Sequence, residues 1–471
     1  MTIVTLSCLA LLLLLTIQAL KRTRSAVDWV SRYSHTQLQH LPDLGSYPRL
    51  FVLLPALEEQ AIVPATLDHF SRLTSPFLCI EIVVVTSNLE NVRREQFATQ
   101  ISGPTTANLV DAWAAQNPAA RVRRLHDPDF GGSKATKLAF ATSVLLNTES
   151  KSDSSRIVFA VYDFDSRPSA NTFTEYLARF NSEIPAPVVQ QVPHPIGMEI
   201  DALRSPSLSR LFAIGHLERS LGLETHHYRE VDAASVHTHR ALRGCMGAGL
   251  FIRADTLMMA GNFPPDSDDI RLGYRLDLLG IKRETLASPN WVQPPPNIFA
   301  LFKQLRRIYG GVYSSFTEVR LFLTANPHLR ASTPFARAVR RHVQDAAIGG
   351  RTCLFGLLVA TAYAGQPISI ATALSFFAWG TQAFAFYLVV TQARKFSIRL
   401  NHPVQLRLSP CEWLLGPFVR GALQMIFPIS YIGGRLWARE DIRTGIGKTP
   451  RLFAAAGQPF NATNRRNDGP E

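Results

Sequence analysis

The sequence predicts an α/β fold built on a mostly parallel, doubly wound sheet. Short, continuous apolar runs that are rich in β-branched residues alternate with stretches of helical periodicity. Such runs are typical of strands buried on both faces of a parallel sheet, and the alternation with helices indicates crossover connections. Long apolar stretches near both ends of the chain add predicted membrane segments to this α/β region.

Four apolar runs in the first half of the chain are the predicted strands. They are Arg49–Leu54, Ile80–Val85, Ile157–Tyr162 and Pro187–Val192. The stretches between them that have helical periodicity are Ile62–Leu73, Lys134–Leu146 and Asn171–Phe180. Because ligands bind at the carboxyl ends of the strands in sheets of this kind, we expect the functional residues directly after these runs.

The composition narrows the class of protein and of partner. Among 471 residues, 46% are hydrophobic and 18% are charged, which permits a large core and excludes global disorder. The net charge of +13 suits a phosphorylated substrate or an anionic membrane face. Nucleic acid is not a predicted partner, because the basic residues lie beside apolar stretches. The five scattered cysteines indicate neither a disulfide framework nor a zinc site.

The N-terminal apolar run predicts a membrane anchor. Residues 3–20 are long enough to span a bilayer, and Lys21, Arg22 and Arg24 follow directly. A signal peptide would carry its positive charge before the apolar run and a cleavage site of small residues after it. We therefore expect an uncleaved anchor, and its flanking charge predicts that the following domain is cytoplasmic.

Two further apolar tracts predict a C-terminal membrane region. Cys353–Val390 is long enough for two tight spans that turn at residues 365–367, and both flanks are basic, which favours a hairpin with cytoplasmic ends. The tract Trp413–Ile432 contains Arg420. Because an arginine at the bilayer centre costs roughly 2.5–3.5 kcal/mol, an interfacial or re-entrant segment is favoured there, and a full span is the alternative.

Two carboxylates follow the third predicted strand. Asp163 and Asp165 alternate in an extended segment, so both side chains face the same side. Mg²⁺ and Mn²⁺ are held by one or two carboxylates together with substrate phosphates, so this pair predicts a metal site for a nucleotide diphosphate. The alternative is that both acids cap the helix predicted over Asn171–Phe180.

An acidic run and a basic amphipathic stretch lie further along the chain. Asp268 and Asp269 precede a helical pattern, where a carboxylate can serve as a general base or can simply stabilise the helix N-terminus. Arg306 and Arg307 lie in an amphipathic stretch. They can stabilise a leaving diphosphate by bidentate hydrogen bonds or contact lipid headgroups.

The order of these segments resembles that of the family 2 glycosyltransferases, which have the GT-A fold. The resemblance covers residues 49–311. The segments that match the family's motifs are PALEE (55–59), GGSKATKLA (131–139), YDFDSRP (162–168), GAGLFIR (247–253), SDDIRLGYRLDLLG (267–280) and QLRRI (304–308). The anchor, catalytic domain and C-terminal hydrophobic part are similar in layout to ceramide glucosyltransferases and to polysaccharide synthase-like enzymes.

The resemblance implies a donor site for a nucleotide sugar. Asp163 and Asp165 would hold Mn²⁺ or Mg²⁺ on the diphosphate. The other residues that the resemblance assigns to the donor are Pro55, Glu58, Lys134, Gln304, Arg306 and Arg307.

The resemblance also implies an acceptor site and a catalytic base. Asp269 would be the base of an inverting transfer, and Asp268 would support it. Gly247, Gly249 and Tyr309 would line the acceptor, which we expect to be a membrane lipid or a lipid-linked molecule.

Two departures from the family pattern bear on specificity. The second strand ends in Thr86-Ser87-Asn88, where the family usually has an Asp that helps to hold the base. Ile308 stands where the family has Trp, with Tyr309 adjacent, and this weakens the interpretation as a polymerase. A processive polysaccharide synthase nevertheless stays an alternative, and a catalytically inactive membrane scaffold is an alternative of another class.

The predicted organisation has five regions. They are a transmembrane anchor over 1–24, a cytoplasmic GT-A domain over 25–297, an amphipathic interfacial segment over 298–345, a C-terminal membrane region over 346–434 and a basic, partly disordered tail over 435–471.

Overall fold

An eight-stranded sheet is the centre of the part of the protein that the computed structural model describes. The strands are β1 (Arg49–Pro55), β2 (Ile80–Ser87), β3 (Val122–Asp127), β4 (Ile157–Val161), β5 (Arg167–Pro168), β6 (Val188–His194), β7 (Leu250–Arg253) and β8 (Arg283–Trp291). The described residues are 2–33, 47–96, 103–129, 133–149, 153–182, 185–194, 208–225, 241–265, 268–293, 295, 298–348, 350–399, 408–419, 429–430 and 432–433.

The strand directions confirm the predicted α/β class with a mostly parallel sheet. The strand order is β3-β2-β1-β4-β7-β6-β8-β5. The first four strands pair in parallel, and so do β6 and β8. Strand β7 is antiparallel to β4 and β6, and β5 is antiparallel to β8. The carboxyl ends of β1, β4, β6 and β8 therefore meet at one edge of the sheet, together with the amino end of β7.

The four strands predicted from apolar runs are present because both of their faces are buried. In β1, Leu50 and Val52 pack into the hydrophobic core on one side of the sheet, while Phe51 and Leu53 pack into the core on the other. The remaining strands escaped prediction. Strand β3 (VRRLHD) is half-exposed along most of its length, and β8 (RETLASPNW) has few apolar residues, so neither shows a continuous apolar run.

Helices cover both faces of the sheet. At one side, the helices that contain residues 26–30, 211–217, 301–312 and 386–396 share one hydrophobic core, and we call them the helix bundle. They are α1 (Thr2–Tyr33), α2 (Val63–Thr74), α3 (Leu89–Gln96), α4 (Thr106–Gln116), α5 (Lys134–Thr148), α6 (Thr172–Phe180), α7 (Leu208–Arg219), α8 (Ala254–Met259), α9 (Asp268–Leu278), α10 (Ile298–Tyr313), α11 (Ser315–Ala325), α12 (Ser332–Ile348), α13 (Gly350–Gly365) and α14 (Ile368–Arg399). A π-helical turn over Ser220–Thr225 continues α7, and a further helix covers residues 410–419.

Two of the described helices are long and apolar enough to cross a membrane. They contain the segments Ile3–Val30 and Ile368–Phe396, and only 22% and 29% of their most apolar windows are buried. Core helices of soluble proteins are mostly buried, whereas these two leave large apolar side chains exposed, such as Leu14 and Phe376.

Two helices, α13 and α14, cover the predicted C-terminal hairpin and turn at Gln366 and Pro367, and their insertion in a membrane stays a prediction. Helix α13 has 16 residues, so within the described part of this hairpin only the second arm has the length of a span. Arg420, on which the prediction for the tract 413–432 rests, lies outside the described residues.

The helix bundle joins the sheet at its carboxyl edge. The ring of Phe396 in α14 lies 5.1 Å from the ring of His194 and 5.5 Å from that of Trp291, measured between centroids. These two partners are the last residues of β6 and β8. Burial lowers the pKa of His194 to about 3, so its imidazole stays neutral and packs as part of the core. The apolar bundle is thus attached where the strands end.

Candidate active site

Two carboxylates lie just past the carboxyl end of β4. Asp163 and Asp165 are both partly exposed, and Phe164 between them is buried at 1% exposure. The backbone N–H of Ser166 donates to the Asp163 carbonyl at 2.9 Å and closes a turn, so the prediction of an extended segment here is wrong. Helix α6 begins only at Thr172, after its N-cap residue Asn171, so the two acids lie too far upstream to cap it. The alternative of helix-capping acids is therefore wrong.

Lys134 connects Asp163 to the segment that contains Gly247. Its ammonium nitrogen donates to Asp163 Oδ1 at 2.7 Å and to the carbonyl oxygen of Gly247 at 2.6 Å. Lys134 is the first residue of α5, and the Ser133 hydroxyl caps this helix by accepting from the N–H of Thr136. A lysine at the N-terminus of a 15-residue helix is well placed to bind an anion. Gly131 and Gly132 of the same motif lie outside the described residues.

Gly247 brings Asp269 into the same group. A Cβ atom at Gly247 would lie 2.5 Å from Asp269 Oδ2, so the carboxylate occupies the space that the absent side chain leaves. The other oxygen, Oδ1, accepts from the N–H of Ile270 at 2.8 Å. Lys134, Asp163, Gly247 and Asp269 therefore form one continuous group, which we call the carboxylate cluster. The side chain of Asp268, where α9 begins, lies outside the described part of the chain.

The loop after β1 runs along the same edge. Pro55 ends β1, and Glu58 has a left-handed backbone with φ 54°, which is uncommon for a residue other than glycine. The buried ammonium of Lys137 in α5 donates to the Ala56 carbonyl at 3.1 Å and ties this loop to the helix that carries Lys134. Pro55 thus lies at the end of the strand next to β4, and donor contacts of Pro55 and Glu58 stay predictions.

Gly249 has a structural function that the sequence did not indicate. Its backbone has φ 87°, its N–H donates to the Val161 carbonyl at 2.7 Å, and its carbonyl accepts from the N–H of Gln191 at 2.7 Å. It therefore links β4 to β6 beneath the cluster. Gln191 is fully buried, accepts from the Tyr162 hydroxyl at 2.9 Å and donates to the Ser288 carbonyl at 2.6 Å. Sequence reasoning missed Gln191 because its partners are distant in the chain.

The predicted residues of the QLRRI segment lie on α10, which packs beside the helix of Asp269. Ile308 of α10 packs against the small core that contains Ile270 and Tyr274 of α9. Tyr309 is 1% exposed and belongs to the core shared with α1 and α14. Its predicted contact with the acceptor stays a prediction.

The polar side chains of α10 point in different directions. Arg307 is exposed, Gln304 is half-buried, and the guanidinium carbon of Arg306 lies 5.7 Å from the Phe302 ring centroid. The structure thus brings α10 next to the helix of Asp269, and donor contacts of Gln304, Arg306 and Arg307 stay predictions.

A histidine that the sequence did not single out orders the ends of β2 and β3. His126 Nδ1 lies 2.9 Å from the Thr86 hydroxyl, and Nε2 lies 2.8 Å from Asn88 Oδ1. Burial lowers the pKa of His126, so the ring is neutral at pH 7. The Asn88 amide donates to the Pro128 carbonyl at 3.1 Å, so its oxygen accepts from Nε2–H. Asn88 is thereby held directly after the end of β2.

The chemistry of the cluster is that of carboxylates and one ammonium group. Burial raises the pKa of the nearby Cys245 thiol to about 11, so no thiolate nucleophile forms there at neutral pH. Within the described residues, no group of three or more His, Cys, Asp and Glu side chains could hold a metal ion. Asp163 and Asp165 suit a hard cation whose remaining ligands are substrate phosphates and water.

Comparisons with known proteins give structural likenesses only. No protein-family model matches the sequence, and no curated protein matches it. The mannosyltransferase PcManGT from Pyrobaculum calidifontis, in complex with GDP-Man and Mn²⁺, is 16% identical. The match covers 84% of this chain and 96% of that chain, with a TM-score of 0.49.

Two other similar structures are more distant. S. aureus TarS 1–349, in complex with UDP-GlcNAc, is 10% identical over 84% of this chain and 92% of that chain, with a TM-score of 0.38. Glucosyl-3-phosphoglycerate synthase from Mycobacterium tuberculosis, in complex with Mn²⁺, UDP-Glc and phosphoglyceric acid, is 13% identical over 58% and 85%, with a TM-score of 0.29. Because every score is below 0.5, we assign no residue role from these likenesses.

Proposed function

We propose that the protein is a membrane-bound, inverting glycosyltransferase that moves a sugar from a nucleotide-diphosphate donor to a lipid or lipid-linked acceptor. The observation that supports this proposal is the position of the carboxylate cluster relative to the apolar helix bundle. Asp163 lies just past the end of β4. At the same edge of the sheet, His194 ends β6 and Trp291 ends β8, and both rings contact Phe396 of the bundle helix α14. An acceptor held in a bilayer around the bundle would therefore be near the carboxylates.

The donor would bind through charge complementarity. Asp163 and Asp165 would hold Mn²⁺ or Mg²⁺, which neutralises charge on the diphosphate when it is bound. Lys134 now donates to Asp163, and the same ammonium can donate to a diphosphate oxygen once the Asp163 carboxylate has a cation as its partner. The N-terminus of α5 adds backbone N–H groups and a favourable dipole for the same anion.

The transfer itself requires a base on the acceptor side. Asp269 Oδ2 would take the proton of the acceptor hydroxyl while the acceptor oxygen forms a bond to the anomeric carbon of the sugar. The bond from that carbon to the diphosphate oxygen breaks, and the nucleoside diphosphate leaves with the electron pair. A single displacement of this kind inverts the anomeric configuration.

The proposal is tested by incubating the purified protein in lipid vesicles with radiolabelled UDP- and GDP-sugars and Mn²⁺. We expect label in the organic extract, on a product that carries one added sugar. A ladder of long polar products would favour the processive polysaccharide synthase. Neither transfer nor hydrolysis of any donor would favour the catalytically inactive scaffold.

Gly247→Ala should lower sugar transfer by roughly 10²-fold, because the added methyl group would need the space that Asp269 Oδ2 occupies at 2.5 Å. Donor affinity should change little, since the displaced carboxylate is on the acceptor side. Gly356→Ala is the matched control, because a Cβ there meets no atom within 4 Å. Full activity of Gly247→Ala would show that Asp269 need not occupy its present place.

A chain truncated after Asp345 should stay with the membrane, because α1 alone is long enough to span a bilayer. Flotation on a density gradient measures this and separates bound protein from aggregates. A second truncation that also lacks residues 2–33 keeps only the predicted interfacial segment over 298–345, so alkaline carbonate should release it from the membrane, whereas the first truncation should resist this treatment. Recovery of the first truncation as soluble protein would contradict the predicted anchor.

Sidedness needs a separate measurement. The cytoplasmic location of region 25–345 predicts that protease cuts this region only from the cytoplasmic face of sealed vesicles.

A further inference from the structure

A buried glutamate holds the helix that carries Asp269. Glu318 of α11 is 2% exposed. Its Oε1 accepts from Arg271 Nε at 2.6 Å, and its Oε2 accepts from Arg275 Nε at 2.9 Å. The two arginines are four residues apart in α9, so they lie on one face of that helix and both donate to the same carboxylate. We call this three-residue group the Glu318 clasp.

The opposite face of α9 is fixed by close backbone contact. A Cβ atom at Gly273 would lie 2.2 Å from the backbone of Gly244 and Cys245, so the helix touches that segment directly. The N–H of Cys245 also donates to the Asp269 carbonyl at 2.9 Å. Helix α9 is therefore held between the segment of Gly244 and Cys245 and the clasp.

The C-terminal end of α9 is held by a second charged group. Asp277 Oδ1 accepts from the fully buried Arg283 of β8, and Oδ2 accepts from Arg337 Nη2 of α12 at 3.0 Å. Each of the two helices that follow α10 therefore contributes one charged side chain that holds α9 in place: Glu318 from α11 and Arg337 from α12. The Glu318 clasp is nearer than Asp277 to the N-terminal end of α9, where Asp269 lies.

The clasp lies close to the proposed base. Arg271 follows Asp269 by two residues, which is roughly 3 Å along a helix axis. Any rotation or slide of α9 would move the Asp269 carboxylate relative to Gly247 and Lys134. A buried ion group of this kind is often no more stabilising than apolar side chains of similar volume, so stability alone does not explain it.

We propose that Glu318 is a positioning residue, which aligns Asp269 with the acceptor by holding α9 against α11. This inference rests on the proposed function. It also means that α11, through Glu318, helps to set the geometry of the base.

The test compares Glu318→Gln with wild-type enzyme in the vesicle assay. We expect kcat to fall by roughly 10²-fold, as for a misplacement of about 1 Å, while Mn²⁺-dependent affinity for the nucleoside diphosphate stays the same. Glu81→Gln is the matched control. Glu81 also accepts from two arginines, Arg49 at 2.5 Å and Arg123 at 2.8 Å, but lies near the start of β2, away from the cluster. It should retain kcat.

A triple variant separates positioning from stability. Arg271→Met, Arg275→Met and Glu318→Met together remove every charge of the clasp, so no buried charge is left unpaired and the melting temperature should return towards that of the wild type. We expect kcat to stay low. Wild-type kcat in Glu318→Gln or in the triple variant would overturn the inference. Absence of transfer by the wild-type protein would instead refute the proposed function.

Discussion

Replacing Asp269 with asparagine should lower the rate of sugar transfer by roughly 10²–10⁴-fold, the usual contribution of a general base. The amide keeps the shape of the side chain but cannot take the proton of the acceptor hydroxyl. The structure supports this choice, because Asp269 Oδ2 lies against Gly247, whose carbonyl accepts from Lys134, and Lys134 also contacts Asp163. Initial rates at saturating donor measure the effect.

Donor binding separates a chemical role of Asp269 from a structural one. Titration calorimetry with the nucleoside diphosphate and Mn²⁺ should show nearly unchanged affinity for Asp269→Asn. Asp268→Asn is the matched comparison, because it alters the neighbouring acid at the start of the same helix. If Asp268→Asn lost transfer while Asp269→Asn kept it, the base would be Asp268. If both variants were active, the two acids would serve only to stabilise the N-terminus of α9.

Replacing Asp165 with alanine should abolish metal-dependent binding of the nucleotide diphosphate, because the cation would lose one of its two protein carboxylates. Asp165 is the cleaner choice of the two acids, since Asp163→Ala would also remove the acceptor of the Lys134 ammonium. Calorimetry with and without Mn²⁺ gives the affinity, and far-UV circular dichroism checks the fold.

Asp111→Ala controls for a general loss of negative charge. Asp111 is about half exposed and pairs at 2.7 Å with Arg124 of the edge strand β3, so this variant should bind the donor normally. Unchanged metal-dependent affinity in Asp165→Ala would show that Asp165 is not a metal ligand.

The central strands and the approximate order of the site could be predicted from local sequence. Runs such as RLFVLL and IVFAVY are apolar at every position or nearly so, and this pattern survives in any sheet that buries both faces. The presence of two acids directly after this strand is equally local, but the structure places them in a turn and not in the predicted extended segment. The two membrane-length helices depend only on composition and length.

Other features were out of reach because they depend on residues far apart in the chain. His126, Gln191 and Glu318 each act through partners on other elements, and a single polar residue carries no local sign of such partners. The burial of Tyr309 was out of reach for the same reason, because it depends on helices that are far apart in the chain.

Sequence by itself determined the α/β class, the pair of acids after β4 and the apolar helices near both ends. Each of these features depends on the periodicity or composition of a single segment. Only the tertiary structure decided that Lys134, Asp163, Gly247 and Asp269 are neighbours, since the parallel sheet collects the ends of distant segments at one edge. The structure also decided that α14 packs against the ends of β6 and β8 at that same edge, because ring contacts between distant residues fix it there.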